Sequence, residues 1–519
     1  MKILSLESKG IVKIDFDYNM DDWYRIRSLS NVTMYERESY SIPYSEEVLS
    51  QLQKWKFDIS EDLQKFIDAE RERKKNFQVT GLKGILRPFQ NEGVNFMIDK
   101  SGRCLLADDQ GIGKTIQAIG YLHLNREITV IICPSSIKLN WQRELENWLN
   151  EPSIEILKGT KPYKTKGEIL ILNYDIATYW IEEIKRRKPE ILILDEIQKI
   201  KMKTANRTKA ILKLKSVNKI IGLSGTPIEN RPEEIFNAGK LIRPDLFDTF
   251  DRFKREFCNG NGFGHEFNGT QDTHLLNFFL KSNFMLRRLK KDVLKELPEK
   301  SYSLVPMELT NRKEYASAEA DFISWVRREK GDEKAERIKN VEALAKVEGL
   351  KQLATKGKLN QVKEWIKDFL ETGNKLVVFC THTFVVDELM KEFEGAVKID
   401  GSTRDRQKPV DMFQNDPKTR LFVGNVQAAG TGITLTASSN IALIEFPWSP
   451  ALIDQCSDRV HRITQKDAVM VYYLLAQNTI EEKIAKLLDK KRKMIASAMN
   501  GTEAEQSELL VELINSYKS

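Results

Sequence analysis

At 519 residues the chain is long enough for about three domains of ~150 residues each. Hydrophobic residues make up 41% and charged residues 30%, which suits a globular chain and excludes global disorder or a collagen-like or mucin-like polymer. The net charge of +7, from 82 Lys+Arg against 75 Asp+Glu, permits a polyanionic partner without demanding one. No apolar run approaches the ~18–20 residues that a bilayer requires. Met1–Lys9 carries early charges and no apolar core, so a secretory signal is not expected. Cys104, Cys133, Cys258, Cys380 and Cys456 include no close pair, which argues against a disulfide framework and a four-cysteine zinc site and for a reducing compartment.

Val12–Phe16 alternates like a short strand, and Glu38–Ile42 reads as another with Tyr40 and Ile42 on one face. Ser45–Trp55 reads as a helix opened by Ser45, with acidic residues in its first turn. Glu61–Lys75 is a charged helical connector. Residues 1–75 thus form a small α+β accessory module. From Gly84 to Arg231 short apolar runs alternate with helical stretches: Cys104–Ala107, Thr129–Cys133, Ile169–Leu172, Ile191–Leu194 and Lys219–Leu223. Runs of this kind are buried parallel strands, spaced as in repeated strand–helix–strand units. Pro232–Phe369 reads as helical and charged, with a Gly/Asn-rich loop at Asn259–Gly269. A second strand series follows at Lys375–Cys380, Ala396–Ile399, Arg420–Val423, Asn440–Ile444 and Met470–Leu475, then a terminal helix, Thr479–Met499. The expected fold is α/β: a parallel-sheet lobe at 76–231, a helical insertion at 232–356 and a second parallel-sheet lobe at 357–519. No repeat of 20–50 residues is evident.

Gly111-Ile112-Gly113-Lys114-Thr115 lies between a strand and a helix. Glycines there let backbone N–H groups approach a phosphate, and the helix N-terminus favours its charge. Lys114 can reach the β- and γ-phosphates and Thr115 can ligate Mg²⁺. Asp108 stands where the first glycine of a full phosphate-binding loop would be, so the motif alone does not exclude an ordinary Gly-rich turn. About 80 residues on, Asp195-Glu196-Ile197-Gln198 ends the strand Ile191–Leu194. Asp195 would hold the metal through its water shell, and Glu196 would orient and deprotonate the attacking water. Gln455–Gln465 contains Arg459 and Arg462, three apart and expected on one helix face, which suits bidentate phosphate binding. The nucleotide is then expected between the two lobes.

This ordered set resembles the Swi/Snf-type branch of superfamily 2 helicase-like ATPases. Leu86-Arg87-Pro88-Phe89-Gln90 is similar to the adenine-recognising segment, with Gln90 as base reader and Arg87 beside it. Ala107–Thr115 resembles the family's phosphate loop, which brings Asp108, Asp109, Gln110, Gly111, Ile112 and Gly113 into the nucleotide site. Leu223-Ser224-Gly225-Thr226-Pro227 resembles the third motif, which links nucleotide state to the DNA track. Asp400–Thr403, Ala429–Leu435 and Gln455–Gln465 are similar to the fourth, fifth and sixth motifs, adding Gly432 to the nucleotide site and Gln455 to the coupling residues. Met285–Pro298 and Glu445–Pro450 further resemble the HARP-type (HepA-related) annealing-helicase branch, as does Tyr40–Pro43 in the N-terminal module.

The resemblance implies two RecA-like lobes, ATP and Mg²⁺ as ligands, and translocation on duplex, forked or branched DNA, with fork remodelling or strand annealing as outcome. Lys114, Asp195, Glu196, Arg459 and Arg462 are the expected catalytic residues. Thr115 and Asp195 are the expected metal ligands, and Gln198, Ser224, Thr226 and Gln455 the coupling residues. Gln198 departs from the family's usual His, although Gln can both donate and accept. Ser135, Asn173, Lys201, Lys203, Arg288, His382 and Trp448 are expected at the DNA, mostly on phosphates. Two rival readings stay open: a strand-separating helicase, and an ATP-gated factor that displaces proteins from nucleic acid. Proteins of replication or repair are the expected partners. A cytoplasmic location in a bacterial or phage-infected cell is expected.

Overall fold

Long β-branched runs bounded by turns, rather than alternating patterns, mark strands buried on both faces. In a computed structural model of the protein they form two all-parallel sheets. The structure describes residues 2–8, 10–27, 29, 32–36, 38–258, 271–328, 336–430 and 432–500. The loop expected at Asn259–Gly269 lies outside the described residues.

The N-terminal module is a five-stranded sheet of order β3-β4-β2-β1-β5. Its strands are β1 (Lys2–Ser8), β2 (Ile11–Phe16), β3 (Thr33–Glu36), β4 (Ser39–Pro43) and β5 (Asp58–Ile59). β1, β2, β4 and β3 pair antiparallel, and β5 adds parallel to β1. Helices α1 (Met20–Arg27), α2 (Glu46–Lys54) and α3 (Glu61–Asn76) accompany it. Ser45 caps α2 by accepting from the Val48 N–H at 3.2 Å. Leu4, Val12, Ile14, Tyr40, Ile42, Leu52, Leu63 and Ile67 build its core, against which Phe278 packs. The last turn of α3 turns to the next domain: Arg73 bonds Asp99 at 3.0 Å and the Asn95 side chain at 3.2 Å.

The first large sheet has the order β12-β6-β11-β10-β7-β9-β8. It comprises β6 (Arg103–Leu106), β7 (Thr129–Cys133), β8 (Ile154–Ile156), β9 (Ile169–Asn173), β10 (Ile191–Asp195), β11 (Lys219–Leu223) and β12 (Met285–Leu286). Helices α4 (Pro88–Asp99), α5 (Lys114–Leu124) and α6 (Lys138–Trp148) cover it, with further helices on its other face. The second sheet has the order β13-β18-β17-β14-β16-β15. It comprises β13 (Lys300–Met307), β14 (Leu376–Cys380), β15 (Val397–Ile399), β16 (Leu421–Asn425), β17 (Asn440–Leu443) and β18 (Val469–Ala476).

The chain divides into two compact units. One is chiefly the chain to Leu289 together with the stretch from Met494, and the other is chiefly Lys290–Lys493. The segment read as a helical insertion therefore does not stand apart. It joins the first unit's core through Phe236, Phe247, Phe253 and Leu276. It also gives a strand to each sheet, β12 beside β6 and β13 beside β18. Both joins pair residues well over 100 positions apart, which no local pattern carries. All five cysteines are buried. Among the described residues no helix is long and apolar enough to cross a membrane.

Candidate active site

Ligand sites in open parallel sheets form at the C-terminal ends of the strands. Register places the ends of β6, β11 and β10 side by side: Leu106 opposes Leu223, and Leu223 opposes Asp195. The phosphate loop leaves β6, the third motif leaves β11, and the acidic pair ends β10.

Between β6 and α5 the loop runs Asp108, Asp109, Gln110, Gly111, Ile112, Gly113. Gly113 has φ +92° and precedes the first helical residue, Lys114. That left-handed φ favours glycine, and a Cβ there would lie 2.6 Å from Gln90 Nε2. The amide of Gln90 thus lies against the loop, while its Oε1 accepts from the Arg87 N–H at 3.0 Å. The Lys114 ammonium folds onto the loop, donating to the Asp108 carbonyl at 2.6 Å and the Asp109 carbonyl at 3.1 Å. Burial holds its pKa below the usual lysine range, against the pull of Asp108, Glu196, Asp109 and Asp195. Thr115 follows in the helix's first turn.

Asp195 is pushed up to about 7 by burial and by the neighbouring Glu196. Its Oδ2 accepts from Trp141 Nε1 at 2.8 Å and its carbonyl from the Tyr174 hydroxyl at 2.9 Å. Sequence reasoning missed both partners, which lie 54 and 21 residues away and carry no local motif. Glu196 sits at φ 56°, ψ 54°, a left-handed conformation costly for a side-chain-bearing residue. The Asp195 Oδ1 accepts its N–H at 3.0 Å and helps hold it there.

From Glu196 a chain of hydrogen bonds leads to the third motif. Gln198 Nε2 donates to Glu196 Oε2 at 2.7 Å, and Ser224 Oγ donates to Gln198 Oε1 at 2.7 Å. The Thr226 N–H donates to Ser224 Oγ at 3.0 Å. The amide at 198 uses its donor on one motif and its acceptor on the other, as an imidazole's two nitrogens could.

The hard-oxygen donors Thr115 and Asp195 fit a Mg²⁺ ion, which takes one or two protein oxygens and completes its shell with water and substrate phosphates. Two neighbouring carboxylates, one of them carrying a raised pKa, are also what a cation would relieve. Among the described residues there is no cluster of three or more acidic, His or Cys ligands.

In the second unit, the helix Pro450–Ser457 stops before the expected arginine pair. Arg459 follows on a turn, its N–H bonding the Cys456 carbonyl three residues back, and Arg462 on a bend, its N–H bonding the Val460 carbonyl. Arg459 Nε donates to the Gln455 carbonyl at 3.0 Å, and Arg462 Nη1 to Thr434 Oγ1 at 2.7 Å. Burial and Arg459 lower the Arg462 pKa to about 9. Gly432, earlier in this unit, has φ +76°.

The residues expected at DNA divide. Ser135 and Lys203 are exposed. Lys201 is instead paired with Glu229 and with Glu234, the latter at 3.3 Å. Asn173 is buried, accepting from Lys138 at 3.1 Å. Arg288 is tied into the nucleotide loop through Asp108. His382 is held between two carboxylates, Nδ1 on Glu445 and Nε2 on Glu348 at 2.8 Å. Trp448 is half-buried under Lys351, whose Nζ lies 4.8 Å from the ring. Of these, Lys201, Arg288 and His382 are paired with carboxylates.

His382 yields a pH prediction. Glu445, then Glu348, raises its pKa above 6.5, while His382 holds the Glu445 carboxyl below its usual range despite burial. A His with a raised folded pKa stabilises fully below its unfolded value and loses that contribution as pH rises through the folded one. The melting temperature is expected to fall by a few degrees as pH rises above about 6.5, and His382→Gln should flatten the curve. Identical pH profiles would remove the ion pair from the account.

Two parallel sheets, one carrying a strand–loop–helix phosphate cradle, define a pair of RecA-like P-loop lobes. The model of the SNF2-related domain matches residues 89–381, and that of the helicase conserved C-terminal domain residues 357–464. The chain belongs to the SNF2-related family. It is 32% identical over 452 residues to the human DNA annealing helicase and endonuclease ZRANB3, covering 81% of this chain and 41% of that protein. It is 32% identical to the Xenopus laevis SWI/SNF-related matrix-associated actin-dependent regulator of chromatin subfamily A-like protein 1, covering 80% of this chain and 44% of that one. The chain thus spans less than half the length of these curated relatives. The Sulfolobus solfataricus SWI2/SNF2 ATPase core in complex with dsDNA shares 26% identity, with 84% of this chain and 98% of that one covered and a TM-score of 0.40.

Proposed function

We propose that the protein is a DNA-dependent ATPase that moves on duplex or branched DNA, remodelling forks or annealing strands. The observation that carries this reading is the bonded path from Glu196 through Gln198 and Ser224 to Thr226. It joins the base of a hydrolytic site to the motif that the family uses for its DNA track, which is what coupling hydrolysis to movement requires. The annealing helicase among the relatives supports the choice of outcome.

Gln90 and Arg87 would read the adenine. Gly111, Gly113 and Lys114 would hold the phosphates, and Glu196 would orient the attacking water and take its proton. Thr115 and Asp195 would hold Mg²⁺, which when bound polarises the phosphoryl oxygens. Arg459 and Arg462 would neutralise charge that develops in phosphoryl transfer. Of the residues first expected at DNA, Ser135 and Lys203 keep that role here, since they are exposed and can meet phosphates without reading sequence.

Steady-state ATPase rates with no nucleic acid, single-stranded DNA, duplex DNA, forked DNA and RNA test the proposal. Forked or duplex DNA should stimulate turnover several-fold more than single strands. Equal turnover on every polymer, or none on any, would overturn it.

A further inference from the structure

Arg288 belongs to none of the nucleotide motifs, yet the phosphate loop, α5 and α4 all meet on it. Its Nε and Nη2 bind Asp108 Oδ1 and Oδ2 in a bidentate pair at 3.1 and 2.5 Å. Its backbone N–H donates to the same Oδ1 at 3.0 Å. Nη2 also reaches Gln117 Oε1 on α5 at 3.0 Å, and Nη1 reaches Glu92 Oε2 at 3.2 Å and the carbonyl of Phe89, both on α4. Asp108 is fully buried and Gln117 Nε2 donates to it at 3.3 Å. The guanidinium is a planar fork of five N–H donors, and here every arm has an acceptor.

We propose that Arg288 is a positioning residue for nucleotide recognition: it sets the adenine-reading segment Arg87–Gln90 at a fixed spacing from the phosphate loop, and so determines base selectivity. This rests on the reading of the site as an ATP site. The phosphate loop begins at Asp108, and the base reader Gln90 directly follows Phe89. One rigid group therefore spans the two ends of a nucleotide. The Gln90 amide lies near the loop at Gly113, where an added Cβ would stand 2.6 Å from its Nε2. A lysine at 288 keeps the charge but offers a point rather than a fork, so it cannot hold Asp108, Gln117 and Phe89 together. The substitution of Asp108 for glycine in the loop gains a reason here: the carboxylate is the anchor for this arginine.

The test uses the full chain and calorimetric titration with ADP and with GDP, alongside thermal melting. The unaltered protein should prefer ADP; equal affinity for the two would overturn the ATP-site reading itself, a separate outcome. Arg288→Lys should weaken ADP by about tenfold and GDP far less, so that base preference collapses. Asp108→Asn combined with Arg288→Gln removes both buried charges together, and should show the same collapse. A purely structural ion pair would move the melting temperature alone. Either variant, folded, with the ADP-to-GDP ratio of the unaltered protein would overturn the proposal.

Discussion

Glu196→Gln is expected to bind ATP as the unaltered protein does and to hydrolyse it about 10²–10⁴-fold more slowly, the usual worth of a positioned general base. That range corresponds to about 3–5 kcal/mol of barrier. The substitution isolates the base because so little else changes. Gln keeps the length of the side chain, and its oxygen can still accept from Gln198 Nε2, now at 2.7 Å from Glu196. The left-handed backbone at φ 56° is no worse for Gln than for Glu. Lys114 and the glycines of the loop, which would carry binding, are untouched. Nucleotide titration and single-turnover hydrolysis measured on the same preparation check both halves of the expectation. Normal turnover would remove Glu196 from the role of base.

The largest effect on stability is expected in the second unit, at Lys358. Its side chain is fully buried, and Glu481, at 4% exposure, is its partner. Lys358 Nζ donates to Glu481 Oε1 and Oε2 at 2.6 and 2.7 Å and to the Leu474 carbonyl at 2.7 Å. Burial raises the Glu481 pKa even so, against the pull of Lys358. Lys358→Ala strands that carboxylate beside the Ala476 N–H, which donates to it at 2.7 Å. Breaking one side of a buried pair costs about 3–5 kcal/mol. For a unit of roughly 200 residues this lowers the melting temperature by about 6–20 °C. Lys358→Met with Glu481→Leu removes both charges and should recover most of the loss. A Lys358→Ala protein that melts within about 2 °C of the original would show the pair to be energetically silent.

Most strands of the two large sheets are legible because they are buried on both faces and read as unbroken apolar runs. Ile191–Asp195 and Leu376–Cys380 are the clearest cases. The strands that escape are those without such runs. Lys2–Ser8 is only partly covered, and Lys300–Met307 mixes Lys, Ser, Tyr and Pro along a half-exposed edge. Ile154–Ile156 and Met285–Leu286 are too short to show a pattern. At the candidate site, spacing points to Lys114, Thr115, Asp195, Glu196, Arg459 and Arg462, since phosphate chemistry asks for glycine, lysine, acid and arginine, while the other expected residues come from the resemblance to the family. What spacing does not reveal is which charges are already spent. Arg288 finds Asp108 across 180 positions and His382 finds Glu445 across 63, so both pass in the sequence for free cations. Trp141 and Tyr174, which fix Asp195, look from the sequence like ordinary core aromatics.

Helix α3 has two owners. Its first half, with Leu63 and Ile67, closes the core of the N-terminal module. Its last turn, with Arg73, is bonded to Asp99 and Asn95 on α4. Phe278, from a helix almost 200 residues further on in the first unit, completes the apolar seam on the module's side. No cut in the covalent chain follows this seam. Removing residues 1–75 would take away the arginine and bare the phenylalanine, so a truncated chain would report the loss of the module and an injury to its neighbour at once. Point substitutions along the seam, with every residue still in place, are the cleaner way to divorce the two.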